Sequence, residues 1–318
     1  MPTSLLAANA VSFDGLAEKA AGLDQLHSLT ILHHGETRFE EVFRGPSLEQ
    51  AVNVKSVSKS IVALMTGIAI DRGILPGTDA TLGALVPDLL PDDADPRVEA
   101  ITIADLLTMQ AGLERTSGPN YGAWVESPDW VRYVLTRPFE AEPGERFQYS
   151  TGSYHLLGVV IARLADRSLL DLAREWLGEP LDIAIPAWTR DPQGYYMGGN
   201  NMALSPRALA KIGELVRLDG RYGQTQVVPS DWIETSLVMR TRSPFSGDAY
   251  GFGWFETEIG GTRAVYARGY GGQMIYIMDD VALTIAVTSD PTRPARSDGH
   301  VGDLHDLVEE VVLPAITV

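Results

Sequence analysis

What most constrains the fold of this chain is where its strand-like and helix-like segments fall. Short β-rich runs occupy both ends, and helical periodicity fills the middle. Near the N-terminus, "LTILHHGETRFEEVFRG" (29–45) reads as two strands around a His-Gly-Glu turn. Toward the C-terminus, "YGFGWFETEIGG", "TRAVYARG", "GGQMIYIMDD" and "VALTIAVTSD" are β-rich runs separated by glycine or aspartate. Strands bury their apolar faces by pairing and being covered, so the two ends are expected to build one sheet, with the middle inserted between them. The fold class expected is α/β (α+β): an antiparallel sheet flanked by helices, formed from the N- and C-terminal segments, with an inserted mainly helical subdomain. The expected division is 1–72 and 226–318 for the sheet-containing unit and 73–225 for the insert. A ligand cleft belongs at their junction.

The middle carries clear helix punctuation. "ITIADLLTMQAGL" (101–113) opens with Thr102 and Asp105, a capping-box variant, and Gly112 ends it. "SPDWVRYVLTRP" (127–138) has Ser127 as cap, Pro128 at the first helical position and a terminal Arg-Pro stop. "GSYHLLGVVIARLAD" (152–166) is a strongly apolar helix. In "SPRALAKIGELVRLDG" (205–220), Ser205 caps, Pro206 follows, and Leu209, Ile212, Leu215 and Val216 share a face. A helix is also expected over 11–24, starting near Ser12 or Asp14, and another over "HVGDLHDLVEEVVLPAI". "DATLGALVPDLLPDDADPRVE" reads as a surface loop around one short helix.

Composition narrows the class of function. The 318 residues, 45% of them hydrophobic, can bury a sizeable core without staples. With no cysteine there is no disulfide, no thiolate metal site and no cysteine nucleophile. A net charge of −17 repels phosphate backbones, and no basic run is present for an anionic membrane, so no nucleic-acid partner is expected. No apolar stretch reaches the roughly 18 residues of a membrane span. The N-terminus lacks a basic region followed by a long apolar one, so a cytoplasmic location is expected, although a trimmed leader would leave the same sequence. His33 and His34 read as a polar hairpin tip, because no third ligand stands at metal-site spacing; His300 and His305 are five apart, poor geometry for shared ligation. Neither metal nor cofactor is expected.

The chemistry concentrates in "NVKSVSKSIVALMTG" (53–67), where one of only four lysines stands three residues after a serine at the mouth of an apolar helix, expected over 59–72 with Gly73 as its stop. Positions i and i+3 share a helix face. Ser56 would sit at the first turn, near free backbone N–H groups and the positive end of the helix dipole. Lys59, one turn further in, would be buried, and burial lowers a lysine's pKa toward that of a usable base. Ser-x-x-Lys taken alone is equally readable as a capped core helix.

Other segments add weight in order along the chain. Ser56-Val57-Ser58-Lys59 running into "SIVALMTGIAIDRGIL" resembles the serine β-lactamase and penicillin-binding-protein superfamily, and most of all its class C β-lactamase-like branch, which includes family VIII esterases and 6-aminohexanoate-dimer hydrolases. "ITIADLLTMQAGL", "EPGERFQYSTGSYHLLG", the stretch "WTRDPQGYYMGGNNMALSPRALAKIGELVRLDGRYG", "YGFGWF" and "ARGYGGQMIYIMDDVALTIAVTSD" are each similar to successive segments of that branch. The agreement runs from about residue 27 to the end. The resemblance implies Ser56 as nucleophile, Lys59 as its base and Tyr149 as the proton relay to the leaving group. It implies an oxyanion site made by the N–H of Ser56 and one just after Gly269, that of Tyr270.

Two positions depart from the family's pattern. The tyrosine motif usually ends in asparagine, and here it ends in Thr151; the strand motif usually begins with lysine or histidine, and here Ala267 precedes Arg268 and Gly269. Those usual groups engage β-lactams and peptidoglycan stems. The expected substrate is therefore a small ester, amide or lactam, with ester or amide hydrolysis ahead of β-lactamase or DD-peptidase activity. A non-catalytic binding or scaffold homologue is the alternative of another class. Arg268 is either a carboxylate anchor or, by strand alternation, turned away. Tyr195, Tyr196, Asn200, Trp124, Tyr250, Trp254 and Gln273 are candidate cleft-lining residues, and the oligomeric state is left open.

Overall fold

The structure is a computed structural model and describes residues 13–316. The two ends do form one antiparallel sheet. Strands β1 (Leu26–His33) and β2 (Glu36–Val42) make the N-terminal hairpin. The C-terminal strands are β3 (Thr241–Arg242), β4 (Ala249–Tyr250), β5 (Phe255–Ile259), β6 (Thr262–Gly269), β7 (Gln273–Met278) and β8 (Leu283–Ser289). Their order across the sheet is β2-β1-β8-β7-β6-β5-β4-β3, so the hairpin pairs with the last strand of the C-terminal meander. The β1–β2 turn is two residues, His34 and Gly35, with φ of 52° and 78°. Positive φ at both positions is the turn whose twist suits a hairpin.

Sequence texture follows position in the sheet. The central strands β7 and β8 are buried along their whole length and are mostly apolar, whereas edge strand β2 is exposed to half-buried throughout. Both faces are covered. The helix Pro206–Arg217 lies on one, where the Thr284 hydroxyl donates to Glu214 Oε2 at 2.8 Å. The C-terminal helix lies on the other, with His305 against the rings of Tyr266 and Tyr276.

Four helices matter for the site: α1 (Val57–Asp71), α2 (Thr151–Ala165), α3 (Pro206–Arg217) and α4 (His300–Leu307). Helix α1 is buried continuously from Val57 to Ala69, and this tertiary burial overrides the cost of its five β-branched residues before that point. Its buried hydroxyls are satisfied: Ser60 donates to Gly253 O at 2.6 Å and Thr66 to Val62 O at 2.8 Å. It begins two residues earlier than expected, which makes Ser56 its N-cap, and Gly73 closes it at φ 68°. Helix α3 falls within the expected insert 73–225, yet it packs on the sheet.

Several caps stand as expected and some do not. Thr102 and Asp105 form a complete capping box. Ser205 caps α3 through the N–H of Ala208. In the 127–138 segment the helix is Trp130–Leu135 and Asp129 is its cap, accepting from Arg132 N; the Ser127 hydroxyl instead donates to Trp124 O at 2.7 Å. The first helix is Leu16–Ala21, entered through Gly15 at φ 77°; Ser12 lies outside the described residues. Helix α2 has no side-chain cap of its own. The hydroxyls of Thr116 and Ser117, from a loop distant in sequence, accept the N–H groups of Gly152 (2.9 Å) and Thr151 (2.8 Å). Among the described residues no helix is long and apolar enough to cross a membrane.

Candidate active site

A cavity of about 810 Å³ opens where the end of β6 faces the starts of α1 and α2. Ser56, Tyr149, Thr151, Arg268, Gly269 and Tyr270 all line it. The sequence-predicted residues therefore meet at one place, although they span more than 200 positions.

Ser56 sits on a tight turn. Lys55, just before it, is held at φ 52°, a left-handed conformation that costs a residue with a Cβ roughly 1 kcal/mol. Asn53 supports it by accepting the Lys55 N–H at 2.9 Å, and its own amide donates to Asn201 Oδ1 at 3.0 Å. The N–H groups of Val57, Ser58 and Lys59 are taken by the carbonyls of Val54, Lys55 and Ser56. This corrects the expectation that the first turn offers several free donors. Among the described residues, the N–H of Ser56 itself and that of Tyr270 have no protein partner.

Gly269 brings the two segments together. A Cβ there would stand 2.4 Å from Val54 O and 3.1 Å from the Lys55 Cβ, so only glycine lets the end of β6 lie against the backbone that leads into Ser56.

Lys59 is 1% exposed. Its Nζ lies 2.9 Å from Ser56 Oγ, 3.3 Å from Thr151 Oγ1 and 2.6 Å from Gly199 O. Among the described residues no carboxylate contacts it. Burial alone lowers its pKa from 10.5 to about 7. With two acceptors in Thr151 and Gly199, the neutral amine keeps its lone pair for the Ser56 hydroxyl. The Tyr149 ring lies under Lys59, with Nζ 4.9 Å from the centroid. Burial pushes its phenol above the ordinary value, with the neighbouring Ser56 hydroxyl and Arg268 opposing.

Arg268 lines the cavity, and its guanidinium lies 5.0 Å from the Phe255 ring centroid. Ala267, beside it, is fully buried. Lys55 and Arg296 also line the cavity, and no aspartate or glutamate does. Among the described residues none of these three cations has a carboxylate within 4.0 Å. In a chain of net charge −17, that is a locally positive pocket.

Of the looser candidates, Asn200 lines the cavity and donates to the Tyr121 hydroxyl at 3.1 Å. Trp124, Tyr250 and Trp254 are core residues, and Gln273 spends its amide on Ser289 within the sheet. Tyr195 and Tyr196 line a separate cavity. Sequence reasoning missed Ser117, Tyr121, Asn201 and the 294–297 segment. It also missed the Gly199 carbonyl, which no side-chain pattern can reveal.

A family profile described as Beta-lactamase matches residues 23–309. The chain belongs to this family, as its ordered motifs imply. It is 22% identical over 263 residues to the 6-aminohexanoate-dimer hydrolase of Paenarthrobacter ureafaciens, covering 76% of this chain and 66% of that one. It is 30% identical over 152 residues to the "Probable fimbrial assembly protein FimD, serogroup H1" of Dichelobacter nodosus, covering 46% and 38%. Neither match spans two thirds of the relative's length. The solved D-amino acid amidase from Ochrobactrum anthropi SV3 superposes with a TM-score of 0.73 at 16% identity, over 96% of this chain and 99% of that one. The fold is thus that of a family populated by hydrolases.

Proposed function

We propose that this protein is a serine hydrolase that cleaves small esters or amides through an acyl-enzyme. The observation that carries the reading is a buried Lys59, at about pKa 7, within 2.9 Å of the Ser56 hydroxyl. Ser56 Oγ attacks the substrate carbonyl while its proton passes to Lys59 Nζ. The unpaired N–H groups of Ser56 and Tyr270 are the oxyanion donors. Tyr149, whose phenol holds its proton near pH 7, gives it to the departing alkoxide or amine, and the proton that Lys59 took from Ser56 passes through the cavity to refill it, so both groups are neutral in the acyl-enzyme. Water then clears the acyl group. The cleft between the sheet and an inserted helical unit supplies the walls.

The cavity's charge favours substrates that carry a carboxylate near the scissile bond. Arg268 is the anchor in this reading, since a forked guanidinium suits a carboxylate. It stands one residue after Ala267, which replaces the family's usual lysine or histidine. This departure sets β-lactamase and DD-peptidase activity second. Replacing Ser56 with alanine should abolish hydrolysis of p-nitrophenyl esters. Undiminished turnover by that variant would end the assignment. With matched neutral and carboxylate-bearing esters, Arg268→Gln should lower the preference for the charged one.

A further inference from the structure

Once Ser56 is acylated, its oxygen carries no proton, and the link from Lys59 through Ser56 to Tyr149 can no longer relay one. Lys59 keeps two other neighbours. Gly199 O is a carbonyl and has no proton to pass on. Thr151 Oγ1 is a hydroxyl, and it lies 2.8 Å from Ser117 Oγ. Ser117 lines the same cavity as Ser56. Among the described residues, no hydrogen bond joins Lys59 to the Tyr149 hydroxyl; only the ring face meets the amine. The path through Thr151 and Ser117 is then the one hydrogen-bonded route from the buried amine to the cavity that survives acylation.

The donor count gives this path a direction. Ser117 Oγ already accepts the Thr151 N–H at 2.8 Å. Once Ser56 Oγ has lost its proton, the neutral Lys59 amine gives its two N–H groups to Gly199 O and the Ser56 ester oxygen and turns its lone pair to the Thr151 hydroxyl, whose oxygen accepts the Ser117 proton. The second lone pair of Ser117 Oγ is then left to face the cavity and to accept a proton there. We propose that Ser117, acting through Thr151, carries the proton exchanged between Lys59 and the hydrolytic water during deacylation. The inference rests on the serine-hydrolase reading and extends it.

The step balances as follows. Water forms a bond to the acyl carbon and gives one proton to Ser117 Oγ. Ser117 passes its own proton to Thr151, and Thr151 passes its own to the neutral Lys59 amine. When the bond from the acyl carbon to Ser56 Oγ breaks, Lys59 returns a proton to that oxygen. The products are the free acid and the starting enzyme, with both relay hydroxyls neutral.

The test is pre-steady-state hydrolysis of p-nitrophenyl butyrate, with intact-mass spectrometry of the enzyme. For Ser117→Ala the steady-state rate should fall by about tenfold or more, less than the roughly 100-fold that proton transfer supplies at least, because water partly fills in. The burst rate constant should fall by less than the steady-state rate, and a butyryl adduct on Ser56 should accumulate. Ser117→Thr should restore the steady-state rate. Thr151→Val keeps the backbone N–H bond to Ser117, so α2 stays capped, and it should show the same accumulation. A parallel fall in burst and steady-state rates without extra adduct would mean that Ser117 only holds the loop, and would overturn the relay. So would wild-type steady-state turnover by Ser117→Ala. A wild-type chain with neither nitrophenolate release nor a Ser56 adduct would remove the hydrolase reading, and the relay with it.

Discussion

Lys59→Met separates what this lysine does for chemistry from what it costs the fold. The unfolded chain holds the Lys59 proton up to pH 10.5, while the folded one releases it at about pH 7. Between those values the unfolded state binds more protons, so this group's contribution to stability rises with pH across that window and is lost as pH falls toward 7. At pH 7 the deficit is about 4 kcal/mol, and by pH 9.5 it shrinks to about 1 kcal/mol. Methionine fills the same volume without a charge. It also strands the Gly199 carbonyl, which costs about 1–3 kcal/mol. The variant should therefore be more stable than wild type by about 1–3 kcal/mol at pH 7, while its ester turnover disappears. Urea unfolding at pH 7 and 9.5 measures both points, and the variant's advantage should shrink by about 3 kcal/mol between them. A stability difference that does not change with pH would refute a lysine buried in this state.

The same lowered pKa sets the pH profile: kcat/KM for a neutral ester should rise through about pH 7 as Lys59 loses its proton, and a flat profile from pH 5 to 9 would contradict it. Gly269→Ala puts a Cβ 2.4 Å from Val54 O, so it should lower activity strongly and stability by about 1–3 kcal/mol, read by turnover and thermal melting. Glu214→Ala leaves the shielded Arg217 guanidinium and the Thr284 hydroxyl without their shared carboxylate, and should cost about 3 kcal/mol in urea unfolding.

Much of this architecture was legible because it is written locally. Strand runs at the ends and capped helices in the middle imply one sheet with an insertion, and the Thr102–Asp105 box appears where its residues stand. Ser56 and Lys59 were legible because helical spacing fixes their relation, and Tyr149 because its motif is continuous. The rest depends on segments meeting in space. Helix α2 borrows its cap from Thr116 and Ser117, so nothing around Ser150 announces it. Arg268 had two possible faces on sequence alone, and its place at the cavity depends on the end of β6 meeting the starts of α1 and α2. Trp124, Tyr250 and Trp254 looked like recognition groups and are core, since an aromatic in a loop segment carries no mark of which way it packs. The left-handed backbone at Lys55 goes against local preference, and such strain is held only by the surrounding site.

A nucleophilic Ser56 shows itself most directly in covalent chemistry at residue 56. The folded protein should be incubated with a fluorophosphonate and digested, and the peptide carrying Ser56 examined by mass spectrometry. A single phosphonyl adduct on Ser56, absent from Ser56→Ala and strongly reduced in Lys59→Met, is the predicted result. An unmodified Ser56 in folded protein, or a label that persists in Ser56→Ala, would contradict it.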